Sequence, residues 1–220
     1  MAASYFDVDG TLVRTNLVHP TLYYLVNQGT PLKTARHVGR ALLRAPAMAL
    51  AELRDRRLFN ELLYSSYAGV SEDRLELLGE EVFEDVLKPA LYPFAQDLID
   101  KTRRAGQRIV LVSGALDSVL RHVAEYLGAD EYIGNRLEIK EGIATGKILK
   151  PVVAGPEKAR LIREHAKKNG FDLADCYAFS DSYSDVPMLS VVGHPAAVNP
   201  DKRLSLLAQA YDWPSFDLRV

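Results

Sequence analysis

Asp7 and Asp9 close an apolar run in the string Asp7-Val8-Asp9-Gly10-Thr11. Residues two apart on an extended strand face the same side, so both carboxylates address one pocket. Two further carboxylates, Asp181 and Asp185, follow the run Tyr177-Ala178-Phe179. Ser113-Gly114 follows the apolar run Arg108 to Val112, and Lys158 stands at the start of a predicted helix. Carboxylates hold hard cations such as Mg2+, attack as nucleophiles and exchange protons. A hydroxyl, a lysine ammonium and backbone N–H groups near glycines stabilise anionic oxygens. This set suits phosphate esters, whose charge repels a carboxylate nucleophile until positive charge neutralises both. Taken singly, each residue also has a structural reading: a turn for the Asp7 string, a helix N-cap for Ser113, Asp181 or Asp185, and a solvent-facing side chain for Lys158.

These residues need strands that end together. Ser4 to Val8, Arg108 to Val112, Tyr177 to Phe179 and Ala196 to Val198 read as buried strands, and Arg136 to Ile148 as a hairpin turning near Gly142. Between them lie helical stripes: Leu91, Phe94 and Leu98, ending near Gly106; Leu116, Val119, Leu120, Val123 and Leu127, closed by Gly128; Ala159, Ile162 and Ala166 behind Pro156; and a last helix through Leu204 and Leu207. Strands alternating with helices predict an α/β doubly wound parallel sheet, whose ligands sit beyond the carboxyl ends of the strands. From Pro20 to Leu87 the pattern is helical only. Leu75, Leu78, Val82 and Val86 form one stripe, with Ser71 as N-cap and Glu72 and Asp73 in the first turn. Val38, Leu42 and Ala45 form another, kinked or broken at Pro46. The expected organisation is a catalytic core of residues 1–17 and 88–220 with an inserted helical cap at 18–87.

The 220 residues carry a net charge of −2, which gives no pull toward nucleic acid. The single cysteine, Cys176, excludes an intrachain disulfide and reads as a buried small hydrophobe. The apolar stretch Ala41 to Leu53 is broken by Arg44, Pro46 and Glu52, too short to span a bilayer, and no targeting signal is visible. A cytoplasmic protein is expected.

In order and spacing, DVDGT, LVSG, the lysine of GPEKAR and SDSYSD resemble the four motifs of the haloacid dehalogenase phosphohydrolase superfamily. The likeness covers nearly the whole chain. The helical insertion after DVDGT and the segment AAVNPDKRL are similar to its phosphoserine-phosphatase-like branch. The resemblance implies a Mg2+-dependent phosphatase with Asp7 as the nucleophile that forms an aspartyl-phosphate. Asp9 would be general acid and then base, and Asp7, Asp181 and the main-chain carbonyl of Asp9 the metal ligands. Gly10, Ser113, Gly114 and Lys158 would bind the phosphoryl oxygens, with Asp185 orienting Lys158.

The cap would choose the substrate. Phosphoserine phosphatases place a glutamate shortly after the first motif to hold an ammonium; here that place, nine residues after Asp7, is Asn16, which counts against phosphoserine. Arg36, Arg40, Arg44, Arg54, Arg56 and Arg57 form a basic set among apolar Leu42, Leu43, Met48 and Leu50, and Arg44, Arg56 and Asn16 are the cap candidates for substrate contact. The expected substrate is a small phosphate monoester or a phospholipid headgroup such as phosphatidylglycerophosphate. The rival readings are a phosphoserine phosphatase, a phosphotransferase or mutase, and a receiver-like signalling domain. The last needs neither Asp9 nor the insertion.

Overall fold

The computed structural model describes residues 2–16, 18–26, 39, 43, 45–51 and 54–218. Its centre is a six-stranded sheet in the order β3-β2-β1-β6-β7-β8, every neighbour pair parallel. The strands are β1 (Ala3–Phe6), β2 (Arg108–Leu116), β3 (Glu131–Asn135), β6 (Tyr177–Ser180), β7 (His194–Val198) and β8 (Ser215–Phe216). The hairpin is β4 (Leu137–Lys140) and β5 (Ile143–Ile148), turning at Glu141 and Gly142, both at positive φ.

Side chains of β1 alternate between two apolar layers, as strand geometry requires. Phe6 joins the layer beneath the helical insertion and stacks on Phe179 at 4.4 Å; Tyr5 joins the opposite layer with Val110, Val112, Ile162 and Met188. The helices whose bounds fall within the described residues include α1 (Val18–Val26), α2 (Arg56–Tyr64), α3 (Glu72–Val82), α4 (Ala95–Arg104), α5 (Asp117–Leu127), α6 (Pro156–Asn169), α7 (Val186–Leu189) and α8 (Lys202–Ala210). This is the doubly wound architecture the pattern predicts, with the helical run placed between β1 and β2.

Ser71 caps α3 through the Arg74 N–H at 3.3 Å, and Leu75, Leu78 and Val82 are buried. Val86 leaves the expected stripe: the chain widens to a π-helical turn over Phe83–Leu87 and Val86 is only partly buried. One other reading is corrected. β2 does not stop at Val112 but runs to Leu116, with its register against β3 shifting between Val112 and Leu116, so Ser113 lies inside an irregular strand and is no helix cap. The edge strand β8 went unread because two residues carry no periodic signal. Cys176 is buried, as expected, with its sulfur accepting from the Ala3 N–H at 3.4 Å.

The insertion does not pack apart from the sheet domain. Tyr24, Leu63, Tyr64, Leu78 and Phe83 share one apolar layer with Leu116, Val119 and Leu120 of the core. The hairpin also joins it: Gly69 N–H donates to Ala144 and Glu72 N–H to Gly142, while Ala144 N–H donates to Val70. No described helix is long and apolar enough to cross a membrane.

Candidate active site

β1 delivers Asp7 to the centre of the sheet's carboxyl edge, where its N–H donates to the Phe179 carbonyl at 2.9 Å. One carboxylate oxygen of Asp7 accepts from Lys158 Nζ at 2.6 Å, the other from Thr11 Oγ1 at 2.9 Å. Lys158 comes from the first turn of α6, where Pro156 fits the helix start. It is buried and donates a second bond to Asp185 at 2.7 Å. Burial alone would depress the lysine; Asp185 and Asp7 outweigh it and hold the ammonium above its ordinary range. The solvent-facing reading of Lys158 is therefore excluded. So is the capping reading of Asp185, whose carboxylate accepts from Lys158 and from Ser180 Oγ at 2.9 Å and caps no helix.

Asp181 stands beyond β6. Its N–H donates to Thr11 Oγ1 at 3.0 Å, and that hydroxyl lies 3.2 Å from Asp181 Oδ1 as well as within reach of Asp7. One hydroxyl proton thus serves two carboxylates. Burial first, then the charges of Asp7 and Asp185, push Asp181 up to about 8. Burial likewise raises Asp7, with Lys158 opposing. Four carboxylates line this cavity with Lys158 and Arg56 as its only cations among the described lining residues. The negative excess and its raised acidities are what a divalent cation relieves.

The donors fit Mg2+, which takes hard oxygens and keeps several waters. Among the described residues no three histidine, cysteine or acidic side chains converge as a ligand set. The fit is instead two carboxylates, Asp7 and Asp181, with the Asp9 carbonyl, to which no described group donates a hydrogen bond. Gly10 permits this approach: a Cβ there would stand 2.2 Å from Asp181 Oδ2. Its own N–H is spent on the Val13 carbonyl at 2.8 Å, which leaves any phosphate contact at this turn to the neighbouring N–H groups.

Asp9 accepts from Ser113 Oγ at 3.1 Å, and Ser113 in turn accepts from the Ala115 N–H at 3.0 Å. Burial and the neighbouring Asp7 charge raise Asp9 to about 6, against the hydrogen bond from Ser113. On one side it faces the acidic cavity, about 40 Å³, lined also by Arg56, Asn60, Gly114 and Ser184; on the other it borders an apolar cavity of about 20 Å³ between Val8, Tyr64 and Tyr67. The Gly114 carbonyl accepts from Tyr64 Oη and from Asn135 Nδ2, both at 2.8 Å, and Asn135 Oδ1 holds the Val153 N–H.

The structure therefore gathers Asp7, Asp9, Ser113, Gly114, Lys158, Asp181 and Asp185, and brings Arg56 to them. It does not bring Asn16, which is exposed and accepts from the Val18 N–H at 3.0 Å at the start of α1. Arg44, with Arg36, His37, Arg40 and Leu42, lies outside the described residues. Leu43 and Leu50 are exposed and line neither cavity, and Arg57 pairs with Asp55 at 3.1 Å. Sequence reading missed Thr11, Asn60, Tyr64, Asn135 and Ser180. Thr11 sits within the first motif and Ser180 opens the fourth; Asn60, Tyr64 and Asn135 carry no local signal, because only the fold brings them here.

Residues 5–190 match the family model described as haloacid dehalogenase-like hydrolase. The chain is 34% identical to the inhibition of morphological differentiation protein of Streptomyces azureus, over 98% of this chain and 78% of that one. It is 31% identical to the phosphoserine phosphatase SerB1 of Mycobacterium tuberculosis, over 100% of this chain and 71% of that one. A solved structure of a protein of unknown function from Bordetella pertussis superposes with a TM-score of 0.84 at 26% identity, covering 99% of this chain and 98% of that one. With the four motifs gathered at one sheet edge, these matches establish that the chain belongs to the haloacid dehalogenase-like hydrolase family, as a phosphatase of its phosphoserine-phosphatase-like branch.

Proposed function

We propose that the protein is a Mg2+-dependent phosphomonoester hydrolase that works through a covalent aspartyl-phosphate on Asp7. The observation that carries this reading is the double hold on Asp7. Lys158 and Thr11 each occupy one of its carboxylate oxygens, fixing the group at the cavity while Asp9 stands beside it with an acidity near neutrality. In this reading residues 1–17 and 88–220 are the catalytic core and 18–87 the cap, with the β4–β5 hairpin docked on it.

Asp7 attacks phosphorus, a P–O bond to its carboxylate forms and the ester P–O bond breaks. Asp9, held to about 6, is protonated in part at neutral pH and gives its proton to the departing alkoxide. Asp9 then takes a proton from water as that water attacks the aspartyl-phosphate and frees Asp7. Lys158, Ser113 and the backbone at Gly114 face the phosphoryl oxygens, and Asp185 keeps Lys158 oriented through the 2.7 Å bond. Asp7, Asp181 and the Asp9 carbonyl would hold Mg2+, which would supply the positive charge that lets an anionic carboxylate meet an anionic ester.

The substrate is a small phosphate monoester or a phosphorylated lipid headgroup such as phosphatidylglycerophosphate. A phosphoserine substrate is favoured by the name of the mycobacterial relative. Against it, the described residues of the cap contribute Arg56 and Asn60 to the cavity lining but no carboxylate for an ammonium. Turnover of a panel of phosphate monoesters, measured with chelator and with Mg2+ restored, tests the reading. Activity should vanish and return; full activity after complete chelation contradicts it.

A further inference from the structure

Asn60 is only 2% exposed, yet among the described residues nothing hydrogen-bonds its amide. Its polar atoms are not sealed off as those of Ser4 and Gln107 are; the residue lines the acidic cavity. It stands one turn beyond Arg56 on α2, and residues four apart share a helix face. Arg56 in turn acts electrostatically on Asp9. The face of α2 that carries Asn60 is therefore the wall beside the proton donor. A buried amide without a partner is costly, so its presence here asks for a ligand.

The location says which part of the ligand. Asp9 protonates the leaving oxygen, so the leaving group lies on Asp9's side of the phosphorus. The apolar cavity behind Asp9, about 20 Å³, has room for little more than a water. The leaving group is thus directed against Arg56 and Asn60. An amide offers one donor group and one acceptor, which matches a hydroxyl and mismatches an ammonium, a donor only. The cavity's carboxylates are already engaged: Asp7 and Asp185 by Lys158, Asp9 by Ser113, and Asp181 by Thr11.

We propose that Asn60 determines specificity, selecting phosphomonoesters whose leaving group carries a hydroxyl close to the ester oxygen, over those carrying an ammonium there. This rests on the aspartyl-phosphate reading above, because it takes Asp9 to mark the leaving-group side.

Three esters that differ in one substituent test it: ethyl phosphate, 2-hydroxyethyl phosphate and 2-aminoethyl phosphate, each with Mg2+. Wild type should favour 2-hydroxyethyl over ethyl phosphate about tenfold in kcat/KM, since a site built for a hydroxyl rejects the analogue that leaves its amide unpaired. In Asn60→Leu that ratio should fall to about one. In Asn60→Asp, a near-isosteric change that carries the test even where the leucine variant fails to fold, 2-aminoethyl phosphate should gain on 2-hydroxyethyl phosphate about tenfold by charge-assisted hydrogen bonding. Ratios between substrates cancel any loss of folded enzyme. A wild-type ratio near one, a hydroxyl preference unchanged in Asn60→Leu, or a wild-type preference for 2-aminoethyl phosphate overturns the role of Asn60 and leaves the mechanism standing. Absence of turnover and of phosphoenzyme with all three esters overturns the mechanism, and the role of Asn60 with it.

Discussion

Replacing Gly10 by alanine separates two costs that the structure assigns to one residue. The first is backbone conformation: Gly10 sits at φ +82°, where a side chain costs about 1–2 kcal/mol. The second is space. The new Cβ would stand 2.2 Å from Asp181 Oδ2, whereas real Cβ contacts stop near 3.0 Å, so Asp181 must retreat by about 0.8 Å. A retreat of that size breaks the 3.2 Å contact with Thr11 and shifts a proposed metal ligand. A misplacement near 1 Å costs on the order of 100-fold in rate. Gly106 supplies the control, since it has φ +80° and nothing within 4 Å of its would-be Cβ. Thermal melts and kcat/KM across a Mg2+ titration read both terms. Gly10→Ala and Gly106→Ala should lose similar stability, but only Gly10→Ala should lose about 100-fold in kcat/KM and need more Mg2+ for half-maximal rate. Equal activity in the two variants would refute the packing argument for Gly10 and Asp181.

Asp9→Asn should slow an alkyl phosphate by about 10²–10⁴-fold and an activated aryl phosphate far less, because a good leaving group needs no proton; equal losses on both, measured as kcat/KM, count against Asp9 as the acid. Metal-free protein should lose thermal stability as pH rises from about 4 to 8. Asp9, raised to about 6, and Asp181, raised to about 8, keep protons in the folded state that the unfolded chain has already released near the ordinary 3.8, so each unit of pH favours unfolding across that window. Mg2+ should flatten this slope by binding the folded, deprotonated site, and a chelated protein whose melting point rises over the same range contradicts the sign. Asn199→Ala should lower kcat more than it raises KM, because its Nδ2 donates to the Thr11 carbonyl at 3.2 Å and its Oδ1 accepts from the Leu218 N–H, tying the loop after Asp7 to the end of the sheet; steady-state kinetics showing a pure KM effect would remove that role.

The core was legible in the sequence because its signals are local. An apolar run followed by paired carboxylates marks β1 and its loop, Pro156 and Gly128 mark helix ends, and Ser71 marks a helix start. The chemistry was legible for the same reason, since Asp7, Asp9, Asp181 and Asp185 fall at strand ends that a parallel sheet must bring together. What failed to show were the supports that only packing creates. Tyr64 and Asn135 meet on one carbonyl, Gly114, from positions 50 and 21 residues away. Ser113 was open to reading as a cap because β2 continues past its apolar run into a stretch of small residues. The motif marks the turn at Gly10, but only the fold shows that its missing side chain makes room for Asp181. Asn16 drew attention by its distance from Asp7, but α1 takes its side chain for a cap, while Asn60, with no motif around it, reaches the cavity.

The covalent step on Asp7 is the most direct test of the account. Enzyme quenched in denaturant during turnover of a phosphate monoester, then digested and mapped by mass, should carry one phosphoryl group on the peptide that contains Asp7. Asp7→Asn should carry none and should not turn over. A phosphoryl group on any other residue, or turnover retained by Asp7→Asn, would contradict the account.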